Sequence, residues 1–152
     1  MIKITDNIND VIPLWKEAFG DSDEDIIFFV DNAENCECLA YYQNDKLSSM
    51  MFLVDCFVDG IKGKYVYAAC TAKEFRGCGY MGELIEYAHN LNYSYICLIP
   101  ANDALVDFYF KRGFTKSVPI DNLSFNQSDE INEYLFEGYN LSKPCVMIYE
   151  GE

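Results

Sequence analysis

The chain has 152 residues, 51% of them apolar and 16% aromatic, which suits one folded domain over 1–152 and excludes global disorder. With 25 acidic and 11 basic residues it carries a formal net charge of −14. A surface of that sign repels nucleic acid and anionic lipid and attracts cations such as amines or basic peptides; the plainer reading is that the charge only keeps the protein in solution.

In chain order, residues 2–4 predict a short strand and residues 8–19 a helix, with Ile8, Val11, Ile12, Trp15, Ala18 and Phe19 on one stripe and Gly20 as its stop. Asp21 or Ser22 is placed to cap a second helix through Ile26, Ile27, Phe29 and Val30. Strands follow at 37–43, 47–58 and 64–71, separated by the turns Gln43-Asn44-Asp45-Lys46 and Asp59-Gly60, so antiparallel pairing is expected. Past Arg76 the period becomes helical, with Met81, Leu84, Ile85, Ala88 and Leu91 on one face. Tyr95-Ile96-Cys97-Leu98-Ile99 predicts a buried strand, 103–112 a helix stopped by Gly113, and Pro144–Tyr149 a last strand. Residues 120–140 are polar and weakly periodic, apart from a candidate helix over 131–136. This order predicts a mixed α/β sheet with helices on its faces.

No apolar run has membrane-spanning length and the first residues lack a signal-peptide pattern, so a cytoplasmic location is expected. Seven cysteines, an odd number, argue against a disulfide framework. Cys56, Cys70 and Cys97 lie in apolar runs as small hydrophobes, and Cys36-Glu37-Cys38 has no second ligand pair, so no metal is expected.

The chemistry concentrates in Ala69-Cys70-Thr71-Ala72-Lys73-Glu74-Phe75-Arg76-Gly77-Cys78-Gly79-Tyr80-Met81-Gly82, which leads into a helix. Glycines allow a ligand to approach the backbone, a helix start presents unpaired N–H groups, and an arginine adds a permanent cation. Together they make a phosphate or pyrophosphate site; a tight strand-to-helix turn is the alternative. A Walker loop would need Lys-Ser/Thr after its last glycine, and Met81-Gly82-Glu83 supplies none. The dinucleotide pattern G-x-G-x-x-G is present as Gly77, Gly79 and Gly82, with Asp103 downstream. Yet five residues, Ala72 to Arg76, separate the strand from Gly77, and the preceding strands read as hairpins.

Arg-x-x-Gly-x-Gly/Ala after a strand and a short linker resembles the signature of GNAT-superfamily N-acetyltransferases, matched here by Arg76 and Gly79, with Met81 where the family has Gly or Ala. Ile99-Pro100-Ala101-Asn102, followed by Leu105 to Phe114 with Tyr109 four residues before Gly113-Phe114, resembles the family's next signature. Leu14-Trp15-Lys16 with Phe19-Gly20-Asp21 is similar to bacterial members related to the enhanced-intracellular-survival acetyltransferases.

The resemblance implies a mostly antiparallel sheet with a splayed parallel pair and acetyl-CoA in the cleft between the strand ending at Thr71 and that at 95–99. Backbone groups at Ala69, Cys70 and Thr71 would meet the pantetheine arm, one amide polarising the thioester carbonyl. Arg76, Gly77, Cys78, Gly79, Tyr80, Met81 and Gly82 would hold the pyrophosphate, and Asn102 the cofactor's amide arm. Tyr109 would protonate the leaving thiolate. Taken alone, one of 12 tyrosines is by default a packed aromatic.

A neutral primary amine, on a small molecule or peptide, would attack directly. Its base is Glu74, Asp55 or a water chain; His89 is placed too far away. Cys70 beside the thioester invites a covalent route, but no histidine partner is visible. Two other functions compete: a non-catalytic CoA-binding or sensing module on the same fold, and a dinucleotide-binding protein. Aromatics within 125–139 suit an acceptor pocket, a homodimer contact or ordinary packing.

Overall fold

A computed structural model describes Met1–Gly151, so the last position of the expected 1–152 range lies outside the described residues. Strand β1 (Ile2–Thr5) leads into helices α1 (Ile8–Phe19) and α2 (Asp23–Asn32). Asn7 and Ser22 cap the two helices, each side-chain oxygen accepting from a first-turn N–H, and Gly20 ends α1 at φ 76°. The stripe of α1 buries Val11, Leu14 and Trp15.

An antiparallel meander follows: β2 (Cys36–Gln43), β3 (Lys46–Val58) and β4 (Ile61–Thr71). The turns fall at the predicted positions, with Asn44, Asp45, Asp59 and Gly60 in left-handed conformations that suit tight hairpins. Helix α3 (Tyr80–His89), strand β5 (Tyr95–Leu98) and helix α4 (Asp103–Phe110) come next.

The region after α4 holds more structure than its polar sequence suggests. Strands β6 (Lys116–Val118) and β7 (Leu123–Ser124), helix α5 (Asp129–Phe136) and strand β8 (Val146–Glu150) complete the fold. The two unpredicted strands are three and two residues long, too short to show a period of two. The sheet order is β1-β2-β3-β4-β5-β8-β6, with β7 beside β3. Thus β8, from the chain's end, lies inside the sheet between β5 and β6. Only β4 and β5 pair in parallel.

That pair is brief. Lys64 faces Ile96 and Tyr65 faces Cys97, and beyond Tyr65 the strands part. At the same level β4 bulges. Phe52 pairs with Tyr67 and Met50 with Cys70, so Ala68 and Ala69 stand opposite Met51 alone. Ala68 takes φ 53°, rare for a residue with a side chain. The bulge bends β4 away from β5, and the backbone N–H and C=O groups on its β5 side are left without a strand partner.

Two apolar clusters fill the sheet's faces. One packs α1 and α2 through Trp15, Ile26 and Phe29 against Phe52, with α5 adding Ile131 and Leu135. The other packs α3 through Leu84, Ile85 and Ala88 with Tyr109 and Phe114 against Leu39, Met51 and Ile96. Among the described residues no helix is long and apolar enough to cross a membrane.

The parallel contact is clamped by Tyr95. Its ring lies over Gly63 of β4, and its hydroxyl donates to the Ile61 carbonyl at 2.6 Å. A Cβ on Gly63 would come within 2.3 Å of the Tyr95 ring. Gly63→Ala should therefore displace the ring and destabilise the protein by about 1–3 kcal/mol. Urea unfolding measures this; unchanged stability would mean that the clamp yields freely.

Candidate functional site

Where β4 and β5 part, a cavity of about 620 Å³ opens. Val66, Ala68 and Ala69 of β4, Leu98 at the end of β5, and Leu105 and Tyr109 of α4 line its inner part. Trp15, Tyr67 and Tyr134 form aromatic walls further out. Among the predicted site residues, only Ala69 and Tyr109 line it.

Tyr109 is 8% exposed and packs edge-on against Phe108 and Phe114. Burial raises its phenol to about 12, partly offset by Arg112. It is a proton holder at any physiological pH.

Cys70 and Thr71 do not line the cavity. The Ser49 hydroxyl donates to the Cys70 carbonyl at 3.1 Å and lies 2.9 Å from the Thr71 hydroxyl. Burial pushes the Cys70 thiol well above its usual value. A neutral, buried thiol does not support an acyl-cysteine route.

The glycine loop forms a second feature at the same end of the sheet. After β4 a short 3-10 turn, Lys73–Phe75, leads to Arg76. Arg76 is exposed, and its Nε donates to the Thr71 carbonyl at 3.3 Å. Gly77 and Gly79 adopt φ 83° and 82°, which a side chain would strain. Gly79 is the N-cap of α3, and no side chain caps that helix. The other four α-helices begin with a capping Asn or Ser side chain. The first N–H groups of α3, from Tyr80 through Met81 to Gly82, are therefore open to an anion. Met81 turns its side chain into the apolar cluster beneath the helix, so its departure from Gly/Ala leaves the backbone donor in place. Cys78 is exposed, and the Tyr80 ring stacks on Tyr41 at 4.1 Å.

Arg112 carried no role in the sequence reading. Its guanidinium lies along Gly82, 3.6 Å from where a Cβ would stand, and stacks 3.6 Å over the Phe108 ring. It adds a second cation beside the α3 start, reached through the turn after α4. Its place just before Gly113 was the available signal, but no local period could link it to a helix some 30 residues earlier.

Asn102 caps α4: its Oδ1 accepts from the Leu105 N–H at 3.1 Å. It does not line the cavity, although its neighbour Ala101 does. Neither candidate base lies at the cavity. Glu74 is exposed and ion-paired with Lys46, and Asp55 sits between Lys62 and Lys64. Burial raises Asp55, but the hydrogen bonds and charges of Lys64 and Lys62 outweigh it and hold the carboxyl below its usual value. Asp55 lies in β3 and Glu74 in the turn after β4, and where each falls relative to the cavity depends on strand pairing that a sequence does not reveal. His89 packs instead, its ring stacked on Tyr149 at 3.5 Å and its Nε2 2.9 Å from the Arg112 carbonyl.

A family model for the acetyltransferase (GNAT) domain matches residues 3–117. The chain belongs to the GNAT acetyltransferase family. No curated protein matches its sequence. Among solved structures, a Corynebacterium glutamicum protein described as histone acetyltransferase and related acetyltransferase superposes with a TM-score of 0.71 at 12% identity, over 100% of this chain and 96% of that one. A GNAT-family N-acetyltransferase of Escherichia coli in complex with CoA gives 0.56 at 13% identity, over 72% of this chain and 66% of that one. A probable N-acyltransferase of Enterococcus faecalis gives 0.54 at 13% identity; the match covers 75% of this chain and 31% of that longer protein. At these identities the likeness is one of fold.

GNAT acetyltransferases draw their acyl group from acetyl-CoA. An uncapped helix start flanked by two arginines suits a diphosphate. An unpaired strand edge suits the amides of an extended arm. Among the described residues no group of three or more His, Cys, Asp or Glu side chains is arranged to hold a metal.

The raised phenol of Tyr109 has a consequence for stability. An unfolded tyrosine titrates near ~10, whereas the folded Tyr109 holds its proton to about 12. Its contribution is intact below the unfolded value and is lost as pH rises between the two. Wild type should lose about 1 kcal/mol more than Tyr109→Phe between about pH 9 and 11, read from urea unfolding of both. Parallel losses would place the phenol in contact with water.

Proposed function

We propose that this chain transfers an acetyl group from acetyl-CoA to a primary amine by direct attack. The observation that carries the reading is that the Tyr109 phenol and the unpaired, bulged edge of β4 line one cavity. The uncapped start of α3, after β4, supports an anchor for the donor's diphosphate.

In this reading the α3 amides at Tyr80, Met81 and Gly82, with Gly77, Cys78 and Gly79, bind the diphosphate, assisted by Arg76 and Arg112. The arm lies along Ala69 to Thr71, with Asn102 at its flank through its free amide nitrogen. An N–H at the bulge donates to the developing oxyanion, the group most in need of a fixed donor. The amine nitrogen bonds to the thioester carbon, the C–S bond breaks, and the sulfur takes a proton from Tyr109. The nitrogen gives up one proton, which restores the phenol directly or through water. A phenol near 12 is a weak acid, so its part is a hydrogen bond that becomes a proton transfer only as the sulfur leaves.

That weakness favours one other reading, a CoA-binding module that performs no transfer. The odd cysteine count supports the cytoplasm as its place. The resemblance of Leu14-Trp15-Lys16 and Phe19-Gly20-Asp21 to the enhanced-intracellular-survival branch supports kinship with it.

Tyr109→Phe should lower turnover by roughly 100-fold while leaving CoA affinity within about 2-fold. A free-thiol assay over an amine panel, with calorimetry for CoA, checks both. Turnover unchanged in that variant removes Tyr109 from the reaction, and no turnover with any amine favours the binding module. Gly79→Asp should weaken CoA by ~10-fold or more beyond Gly79→Ala, because both meet the same backbone strain and only Asp adds an anion. Equal affinities for the two variants would remove the loop from the donor site.

A further inference from the structure

The outer end of the cavity carries four carboxylates that no part of the proposed reaction uses. Asp21 and Asp25 come from the start of α2 and the turn before it, and Glu133 and Glu137 from α5 and its end. All four are exposed, and none is paired with a lysine or arginine among the described residues. The cavity lining contains no Lys, Arg or His. Asp21 accepts the Trp15 indole N–H at 2.8 Å, and the Tyr134 hydroxyl donates to the Asp25 carbonyl at 3.0 Å. These bonds tie the carboxylate rim to the aromatic wall. The phenols of Tyr67 and Tyr134 register the rim: burial raises both, and the charges of Asp21 and Glu137 raise them further.

The wall itself is aromatic. Tyr67 packs on Phe29 at 4.9 Å and on Trp15 at 5.8 Å, and Tyr134 on Phe29 at 5.6 Å, which fixes the rings in place. Carboxylates around fixed aromatic faces attract an organic cation through charge and ring quadrupole together. The same side chains are not grouped closely enough to hold a metal ion.

The inner end has the opposite character. Val66, Leu98 and Leu105 surround it, and Tyr109, 92% buried, lines it without a hydrogen bond to any described protein group. An ammonium entering that end is desolvated, which lowers its pKa and favours the neutral, attacking form. A monoamine would have to leave the rim to react. A molecule with two or more amines reaches both ends at once, one nitrogen neutral beside Tyr109 and the rest charged at the rim.

We propose that the acceptor is a small aliphatic di- or polyamine, held at Asp21, Asp25, Glu133 and Glu137 by the amines that do not react. The proposal rests on the acetyltransferase reading for the fate of the inner amine, but not for binding. A cavity of about 620 Å³ shared with an acyl arm suits a slim chain rather than a folded peptide.

The test is calorimetry on the full chain without acetyl-CoA, using spermidine, putrescine, n-butylamine and 1,4-butanediol. Trp15, the single tryptophan, supplies a fluorescence signal from the Asp21 end. Affinity should fall from spermidine to putrescine to butylamine by ~5-fold or more per charge lost, with no binding of the diol. Raising salt from about 0.05 to 0.5 M should weaken spermidine by ~10-fold. Glu133→Gln with Glu137→Gln should weaken it by ~10-fold, at unchanged thermal midpoint since both sites are exposed. Spermidine no tighter than butylamine, or unaffected by the double variant, overturns the proposal, as does a lysine-rich peptide that binds ~10-fold tighter than spermidine. If polyamine binds as expected but acetyl-CoA does not, the acetyltransferase reading fails alone; if acetyl-CoA binds and polyamine does not, this inference fails alone.

Discussion

The site depends on how little β4 and β5 touch. Two residue pairs join them, at Lys64–Ile96 and Tyr65–Cys97, beside the Tyr95 ring that lies on Gly63. Were the pairing longer, strand would fill the space and the β4 edge would be spent on a ladder. Were it absent, nothing would bring α4 and its Tyr109 opposite Ala69. The bulge at Ala68 completes the separation, at a backbone cost of about 1–2 kcal/mol for a non-glycine in the left-handed region. The surrounding sheet holds that strain, since β3 pairs with β4 on both sides of it.

The start of α3 shows a related economy of contacts. Replacing a capping Asn or Ser by a residue without a cap costs a helix about 1 kcal/mol, and α3 has Gly79 where its four companions have a cap. Its stability comes instead from Leu84, Ile85 and Ala88 against the sheet. Packing thus holds a helix whose first turn remains free to bind.

Much of this was legible in the chain. Hairpin turns at Asn44-Asp45 and Asp59-Gly60, the Gly20 stop and the Ser22 cap are local signals, because a few neighbouring residues determine them. The glycine turn before α3 and the helix that carries Tyr109 were legible as elements, and the family match spans both positions. What depended on distant partners was not. Asp55 and Glu74 stood as candidate bases beside a water chain, with solvated positions the plainer reading, and their partners Lys62, Lys64 and Lys46 come from strands whose pairing the sequence does not give. The cap that the Asn102 side-chain oxygen gives α4 was not read from the sequence. The rim carboxylates come from segments more than 100 residues apart, Asp21 and Asp25 near one end and Glu133 and Glu137 near the other, so only the folded chain brings them together. The weak period of residues 116–124 hid two strands that exist because β8 and β3 offer edges to them.

The carboxylate rim and the arginine-flanked start of α3 bear opposite signs in one small molecule. Added electrolyte therefore acts on the two ends differently. It weakens the hold of the rim on a cation, and it relieves the repulsion that a body of charge −14 exerts on an approaching polyanion. With the proposed acceptor and donor both bound, joint occupancy would be greatest at an intermediate ionic strength, the behaviour of a zwitterionic receptor whose two halves answer salt in contrary directions.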